Sequence, residues 1–246
     1  MRQRDELQRF TLAYHDVIRI LDDAKANKVF LIPLTGGEPL LHPEILEIVS
    51  QIRQRKMLPL IGSSGFDIDH GMWKRLKDAG AVNVQLSIES TRQDRQDAYR
   101  AAGYFKQLLE NIEEIKKVGM VLNLAITLDS TNLTEVQDLL DFCRRMRIDN
   151  VKVDFFENFV TLGDSRVVPL DKRKAVAKLC ESYARSHSGK EDWICCMDGD
   201  ASNSTSRESP LHVYANGDIR LGFPGKTLGN IKEMLPSEAL RCWRRK

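Results

Sequence analysis

The feature that most constrains this chain is a regular alternation of short β-rich runs with stretches of helical period. The runs fall at Val29–Thr35, Leu58–Ser64, Val82–Glu89, Val121–Leu128 and Val151–Phe156. Between and before them, Asp5–Ala26, Pro43–Arg55, Gly71–Ala79, Phe105–Val118 and Thr134–Arg147 carry apolar residues at helical spacing. Pro43 suits a first helical turn, and Gly80 and Gly119 stand where helix C-terminal glycines belong. Asn132 with Glu135 three residues on resembles a capping box, and His42 reads as a cap for the Pro43 helix. Strand–helix repeats of this length imply parallel strands joined by right-handed crossovers. The chain opens on a helix that would ordinarily follow a strand, so one strand is expected to be missing at the front.

The strands themselves separate a barrel from an open sheet. Strands of a sheet covered on both faces read as continuous apolar runs. Here Val84, Leu86 and Ile88 alternate with Gln85, Ser87 and Glu89. Leu122, Leu124, Ile126 and Leu128 alternate with Asn123, Ala125, Thr127 and Asp129. Val151, Val153 and Phe155 alternate with Lys152, Asp154 and Phe156. If the apolar sets face the helices, the other sets line an interior. A closed eight-stranded barrel packs that interior with branched apolar side chains. A polar lining points instead to a partial barrel with a polar ligand at the C-terminal ends of the strands. The competing reading, in which these polar groups merely satisfy one another, is weaker for three strands in succession.

After about residue 186 the pattern changes. Residues 187–210 are rich in Ser, Asp, Gly and Asn and read as a long loop. Leu211–Tyr214 and Ile219–Leu221 then flank Asn216-Gly217, a strong two-residue hairpin signal. A last helix is expected from Ile231 to about Trp243. The reading is thus an α/β chain: a partial (β/α)6 TIM-like barrel lacking its first strand over 1–186, and a small hairpin-and-helix annex over 187–246.

Composition narrows the function classes. Thirty-seven basic residues face 35 acidic ones, which gives no electrostatic case for a dedicated nucleic-acid binder. The longest apolar run, Val29 to Leu34, is six residues, so no membrane span is expected. The N-terminus lacks the apolar core of a signal peptide, and a cytoplasmic location follows as an expectation. Cysteines at 143, 180, 195, 196 and 242 show no metal-ligand spacing and read as reduced thiols.

The sharpest local signal is Leu34-Thr35-Gly36-Gly37-Glu38-Pro39-Leu40-Leu41-His42-Pro43. It joins a strand to a helix, the place where such barrels bind ligands. Its two glycines let a ligand approach the backbone N–H groups closely. Glu38 offers a carboxylate to a ligand ammonium group.

This string resembles the GGE motif of radical S-adenosylmethionine (SAM) enzymes, and the chain resembles the subgroup bearing a C-terminal SPASM or twitch extension. The resemblance implies that Gly36, Gly37 and Glu38 contact the cofactor's methionyl amino group. Ser63-Ser64-Gly65 loosely matches a Thr-Asn-Gly element, which brings in Ser64. Ser87-Ile88-Glu89 followed by Arg95 to Arg100 resembles a Ser-Ile/Leu-Asp strand end and its arginine, with Glu89 replacing the commoner Asp. Ser87, Glu89 and Arg100 would face the ribose and carboxylate. Ile126-Thr127-Leu128 through Asn132 resembles the fifth strand and its Asn, which adds Thr127. Asn216-Gly217-Asp218-Ile219 and Leu228-Gly229-Asn230-Ile231 resemble the extension's hairpin and turn. Lys152 and Asp154, on the polar face, are the expected substrate contacts, and no catalytic residue is assigned.

Two departures bear on activity. The CxxxCxxC motif that holds the family's four-iron, four-sulfur cluster is absent, as is the strand before it. Cluster ligation needs several converging thiolates, which these five cysteines do not supply. Arg2 to Ile20 aligns with the segment just after that motif, so the ligands are expected upstream of Met1, in a full-length form only. In the extension, Gly222 stands where a ligand cysteine is usual, and no full auxiliary ligand set is present. Three readings follow. The full-length protein would cleave SAM reductively and modify a peptide or protein by radical chemistry, served by a flavodoxin- or ferredoxin-type donor, with this chain alone inactive. Alternatively, the protein is a non-catalytic, cluster-less binding or scaffold relative. A third possibility is a different barrel enzyme in which Lys152 forms a Schiff base.

Overall fold

The computed structural model describes residues 11–156, 164–187, 193–196, 210–222 and 225–244. Six parallel-sheet strands run in the spatial order of the sequence. They are β1 (Leu31–Leu34), β2 (Leu58–Gly62), β3 (Asn83–Ile88), β4 (Val121–Leu128), β5 (Asn150–Phe155) and β6 (Ile194–Cys196). A separate antiparallel sheet holds β7 (Leu211–Val213), β8 (Asp218–Leu221) and β9 (Lys226–Asn230). This is an α/β fold with a partial TIM-like barrel and a small C-terminal sheet, as the alternation implied.

The chain divides into two compact units. The first comprises Met1–Gly62, Arg75–Val82 and Ala201–Lys246. Its helices α1 (Tyr14–Ala26) and α2 (Ile45–Gln54) each bury one stripe. In α2 the stripe is Ile45, Ile48, Val49 and Ile52, spaced for a single helix face. Ile48 and Ile52 join Val17, Leu21 and Met57 in one apolar cluster. Asp23 of α1 accepts from the backbone N–H of Ser237 at 2.9 Å and from its hydroxyl at 2.6 Å. This carboxylate caps the first turn of α8 (Pro236–Arg244), where the helix dipole favours an anion. Arg19 donates to the Ile231 carbonyl at 3.1 Å, a second tie between α1 and the C-terminal segment.

The second unit comprises Ser63–Lys74 and Asn83–Asp200. It contains β3 to β6 and the helices α4 (Gln93–Tyr99), α5 (Tyr104–Lys117), α6 (Val136–Arg145) and α7 (Leu170–His187). A further helix, α3 (Met72–Asp78), has residues in both units. The alternation in β3 and β5 is realised: Val84, Leu86, Ile88, Val151 and Val153 are buried, while Gln85, Ser87, Lys152 and Asp154 remain half-exposed. Toward the N-terminal ends the polar face does satisfy itself. Asn123 donates to Asn83, and Asn150 donates to Asn123 at 2.8 Å.

Several details differ from the sequence reading. Strand β6 lies inside the stretch expected to be a loop, whose residues 188–192 and 197–209 fall outside the description, as do residues 5–10 of the first expected helix. The C-terminal hairpin gains a third strand, β9, and the last helix starts at Pro236 rather than Ile231. Pro39–Leu41 forms a separate 3-10 turn before α2, and His42 Nδ1 accepts from the Glu44 N–H at 3.1 Å. Asn132 makes no cap bond to its own helix, because its side chain is used elsewhere.

Candidate cofactor and substrate sites

In the first unit, β1 leads into the turn at Thr35–Glu38. Gly36 has φ 87° and Gly37 φ 50°, a left-handed pair that L side chains rarely adopt. Apart from the glycine itself and its two chain neighbours, no heavy atom of the described residues lies within 4 Å of where a Cβ would stand on either residue. The turn therefore keeps its backbone open on the side where those side chains would be. Glu38 Oε1 accepts from the Leu40 N–H at 3.2 Å and so caps the 3-10 turn. Beside the turn, a Cβ on Gly62 at the end of β2 would sit 3.2 Å from Thr35 Oγ1, a tight contact.

In the second unit, the tip of β3 is built around Glu89, which is only 4% exposed. Arg100 reaches it with Nε at 2.9 Å and with a second guanidinium nitrogen. Gln96 donates to Glu89 Oε2 at 2.8 Å, and its carbonyl accepts from the N–H groups of Glu89 and Ser90 at 2.8 and 2.7 Å. Burial acts to lower the Arg100 pKa, but the hydrogen bonds and charge of Glu89 outweigh it and hold the group above its ordinary value. Asn132, fully buried, donates to the carbonyls of Glu89 and Thr127 at 3.0 Å each and accepts from Asp129 N–H at 2.8 Å. It ties the ends of β3 and β4 together.

Ser64 and Ser87 are linked through a residue that the sequence reading missed. The Tyr104 hydroxyl lies 3.0 Å from the Ser64 carbonyl and 3.1 Å from the Ser87 carbonyl. Phe66 stacks on its ring, and the Arg100 guanidinium sits 5.7 Å from the ring centroid. Gly65, with φ 67°, packs against Asn111, which donates to the Gly65 carbonyl and accepts from Trp73 Nε1 at 2.9 Å.

One face of the sheet, half-exposed at β3 and β5 but buried at Asn123 and Ala125 of β4 against the alternation expected there, brings the expected substrate residues into rows. Ser87 is registered with Ala125, Ala125 with Lys152, and Lys152 with Cys195. Thr127 is registered with Asp154. Lys152 Nζ pairs with Asp154 Oδ2 at 2.8 Å. Ser87, Thr127, Lys152 and Asp154 thus share one face, since paired residues of a sheet point the same way. Gln96 and Tyr104 carried no sequence signal for this role, because their partners lie on other elements; Asn132 did, through its match to the Asn that follows the family's fifth strand.

The Radical SAM superfamily model matches residues 5–143, more than half of the chain. The chain belongs to the radical SAM superfamily. It is 31% identical over 174 residues to a GTP 3',8-cyclase of Helicobacter pylori, covering 70% of this chain and 54% of that protein. It is 29% identical over 146 residues to a PqqA peptide cyclase of Granulibacter bethesdensis, covering 57% of this chain and 38% of that protein. The chain therefore spans about half the length, or less, of these curated relatives. Among solved structures, Streptococcus suis SuiB bound to S-adenosylmethionine superposes with a TM-score of 0.71 at 16% identity, over 93% of this chain and 58% of SuiB. Membership in this superfamily sets aside the reading of an unrelated Schiff-base barrel.

The open Gly36-Gly37 turn fits a cofactor held through backbone N–H groups. An iron–sulfur cluster does not fit: among the described residues no three His, Cys, Asp or Glu converge as metal ligands. Cys143 and Cys180 are buried, and the sequence holds no CxxxCxxC. Among the described residues, no helix is long and apolar enough to cross a membrane.

Proposed function

We propose that this chain supplies the S-adenosylmethionine-binding barrel of a SPASM- or twitch-type radical enzyme that modifies a peptide or protein. The observation that carries the reading is the Thr35–Glu38 turn, with both glycines left-handed and their Cβ side open, in a chain of this superfamily. Gly36 and Gly37 offer N–H groups to the methionyl end of the cofactor, and Glu38 offers a carboxylate to its ammonium. Glu89 and Arg100 act as one unit toward the ribose and carboxylate, with Ser64, Ser87 and Thr127 as neighbouring polar contacts. When bound and reduced in enzymes of this kind, the cofactor supplies a hydrogen-abstracting 5'-deoxyadenosyl radical. The cluster that reduces it requires three thiolates which these 246 residues do not provide, and a flavodoxin- or ferredoxin-type protein would be the electron source.

In this reading residues 1–186 are the barrel and 187–246 the extension. Lys152 and Asp154 present paired opposite charges on the open face of the sheet and would hold a polar backbone or a charged side chain of the substrate. Support for a peptide substrate comes from PqqA peptide cyclase and from SuiB, whose complex with the precursor peptide SuiA superposes with a TM-score of 0.72 over 93% of this chain. The small antiparallel sheet β7–β9 would form part of that extension. The similarity to GTP 3',8-cyclase favours a second reading, a nucleotide substrate.

Anaerobic reconstitution of this chain with iron and sulfide, followed by reductant and SAM, tests the reading. It should yield no 5'-deoxyadenosine, while SAM still binds weakly. Formation of 5'-deoxyadenosine by the chain alone would overturn the cluster argument, and absence of any SAM binding would overturn the assignment of the Thr35–Glu38 turn as a cofactor contact.

A further inference from the structure

Two cysteines outside the candidate sites form a pair that the spacing of the sequence did not suggest. Helix α7 buries Arg173, Ala177, Cys180 and Ala184 along one stripe, and it packs on β6. In β6, Cys196 is registered with Val153, whose side chain is fully buried, and Cys195 with Lys152 on the half-exposed face. Strand alternation therefore turns Cys196 toward the helix layer and Cys195 away from it. Cys180 and Cys196 meet there, with their thiols in hydrogen-bond contact. Cys180 is 1% exposed, Cys196 is half-exposed and Cys195 is exposed.

We propose that Cys180 and Cys196 are an oxidation site that closes to a disulfide and fastens the sheet-edge strand β6 to helix α7. The oxidant class is a low-molecular-weight disulfide of the glutathione type. The Cys196 thiolate attacks one sulfur of that disulfide, forming a mixed disulfide and expelling one thiolate. The Cys180 thiolate then attacks the Cys196 sulfur and expels the second. The two protein thiols lose two protons and two electrons, and the oxidant leaves as two thiols. Half-exposure lets Cys196 meet the oxidant, and contact with Cys180 supplies the resolving thiol. Cys180 is suited to that step, because its hydrogen bond with Cys196 holds its pKa below the usual thiol value against the opposing effect of burial. Cys143 shows the contrast: burial pushes its pKa up to about 12. A disulfide that joins two elements across a short connection limits the opening of the weaker one. Here the weaker element is the three-residue edge strand beside Lys152.

The test treats the whole native chain with oxidised glutathione, blocks remaining thiols by alkylation and maps the peptides by mass spectrometry. The expected result is loss of two of the five thiols and a cross-link between the Cys180 peptide and the peptide carrying residues 195 and 196. The cross-link should persist in Cys195→Ser and vanish in Cys196→Ser. It should also reopen with reduced glutathione, and native proteolysis at β6 should slow several-fold when it is closed. A cross-link lost in Cys195→Ser would overturn the assignment. So would a wild-type map in which Cys180 stays alkylatable while Cys196 carries only glutathione, a result that does not depend on any variant folding.

Discussion

The Thr35–Glu38 turn and the Glu89 strand end are both candidate cofactor contacts, yet they are built in opposite ways. In the turn, two left-handed glycines leave the space beside them open, and the one carboxylate caps a short 3-10 turn. At the strand end, a carboxylate only 4% exposed is gripped by Arg100 and Gln96, while Asn132 holds the backbone carbonyl behind it. A satisfied buried network rigidifies what it touches. Under the proposed function, the open turn would meet the ligand mainly through its backbone, whereas the Glu89 network would present a contact that is already held in place. Changes in the network should cost stability before affinity, and changes in the turn should cost affinity before stability.

The largest effect is expected for Glu89→Ala. It leaves Arg100 and Gln96 without their acceptor and should cost about 2–3 kcal/mol. That is below the figure for a fully buried pair, because Arg100 keeps 32% of its side chain in water. A urea midpoint that did not move would break the comparison. Asn132→Ala removes three buried hydrogen bonds and should cost about 2 kcal/mol in the same assay.

Gly37→Ala sharpens the other side. Beyond its chain neighbours its Cβ meets no described residue within 4 Å, so the backbone preference is what opposes it, about 1 kcal/mol. SAM affinity measured by equilibrium dialysis should fall by a larger factor than this strain explains. If affinity and stability fell in step, the turn would be a structural element only.

The smallest effect concerns acid stability. Asp97 accepts from the N–H groups of Phe105 and Gly103, both at 2.9 Å, and anchors the start of α5. These bonds hold its pKa below the usual carboxylate value. Because the folded pKa is depressed, the stabilisation is present above the unfolded value and is lost as pH falls through the folded one. Asp97→Asn should flatten the pH dependence of the melting temperature below about pH 4. It should leave SAM affinity unchanged.

Much of the scaffold was legible because periodicity reports burial directly. The alternation of Val84, Leu86 and Ile88 with Gln85 and Ser87 appears unchanged as buried and half-exposed faces of β3. Helix α2 was legible for the same reason. Helix α7 was not singled out, since its buried stripe includes Arg173, Ala177, Cys180 and Ala184 and offers little apolar contrast. Strand β6 is three residues long within a polar stretch, too short for a period to show. Asn132 looked like a cap because Glu135 follows at the right spacing. Its side chain instead bonds carbonyls of two strands, a tertiary choice that local spacing cannot encode. The glycine turn stood out because its residues are contiguous. Gln96 and Tyr104 gain their roles only when distant strand tips come together.

The most direct test of the central claim is an NMR titration of the isotopically labelled chain with SAM, following backbone amides. The account predicts progressive shifts at Gly36, Gly37 and Glu38, with smaller ones at Ser64, Ser87 and Glu89, and loss of the first set in Gly37→Ala. Shifts confined to other parts of the chain, or none at all at saturating SAM, would contradict it.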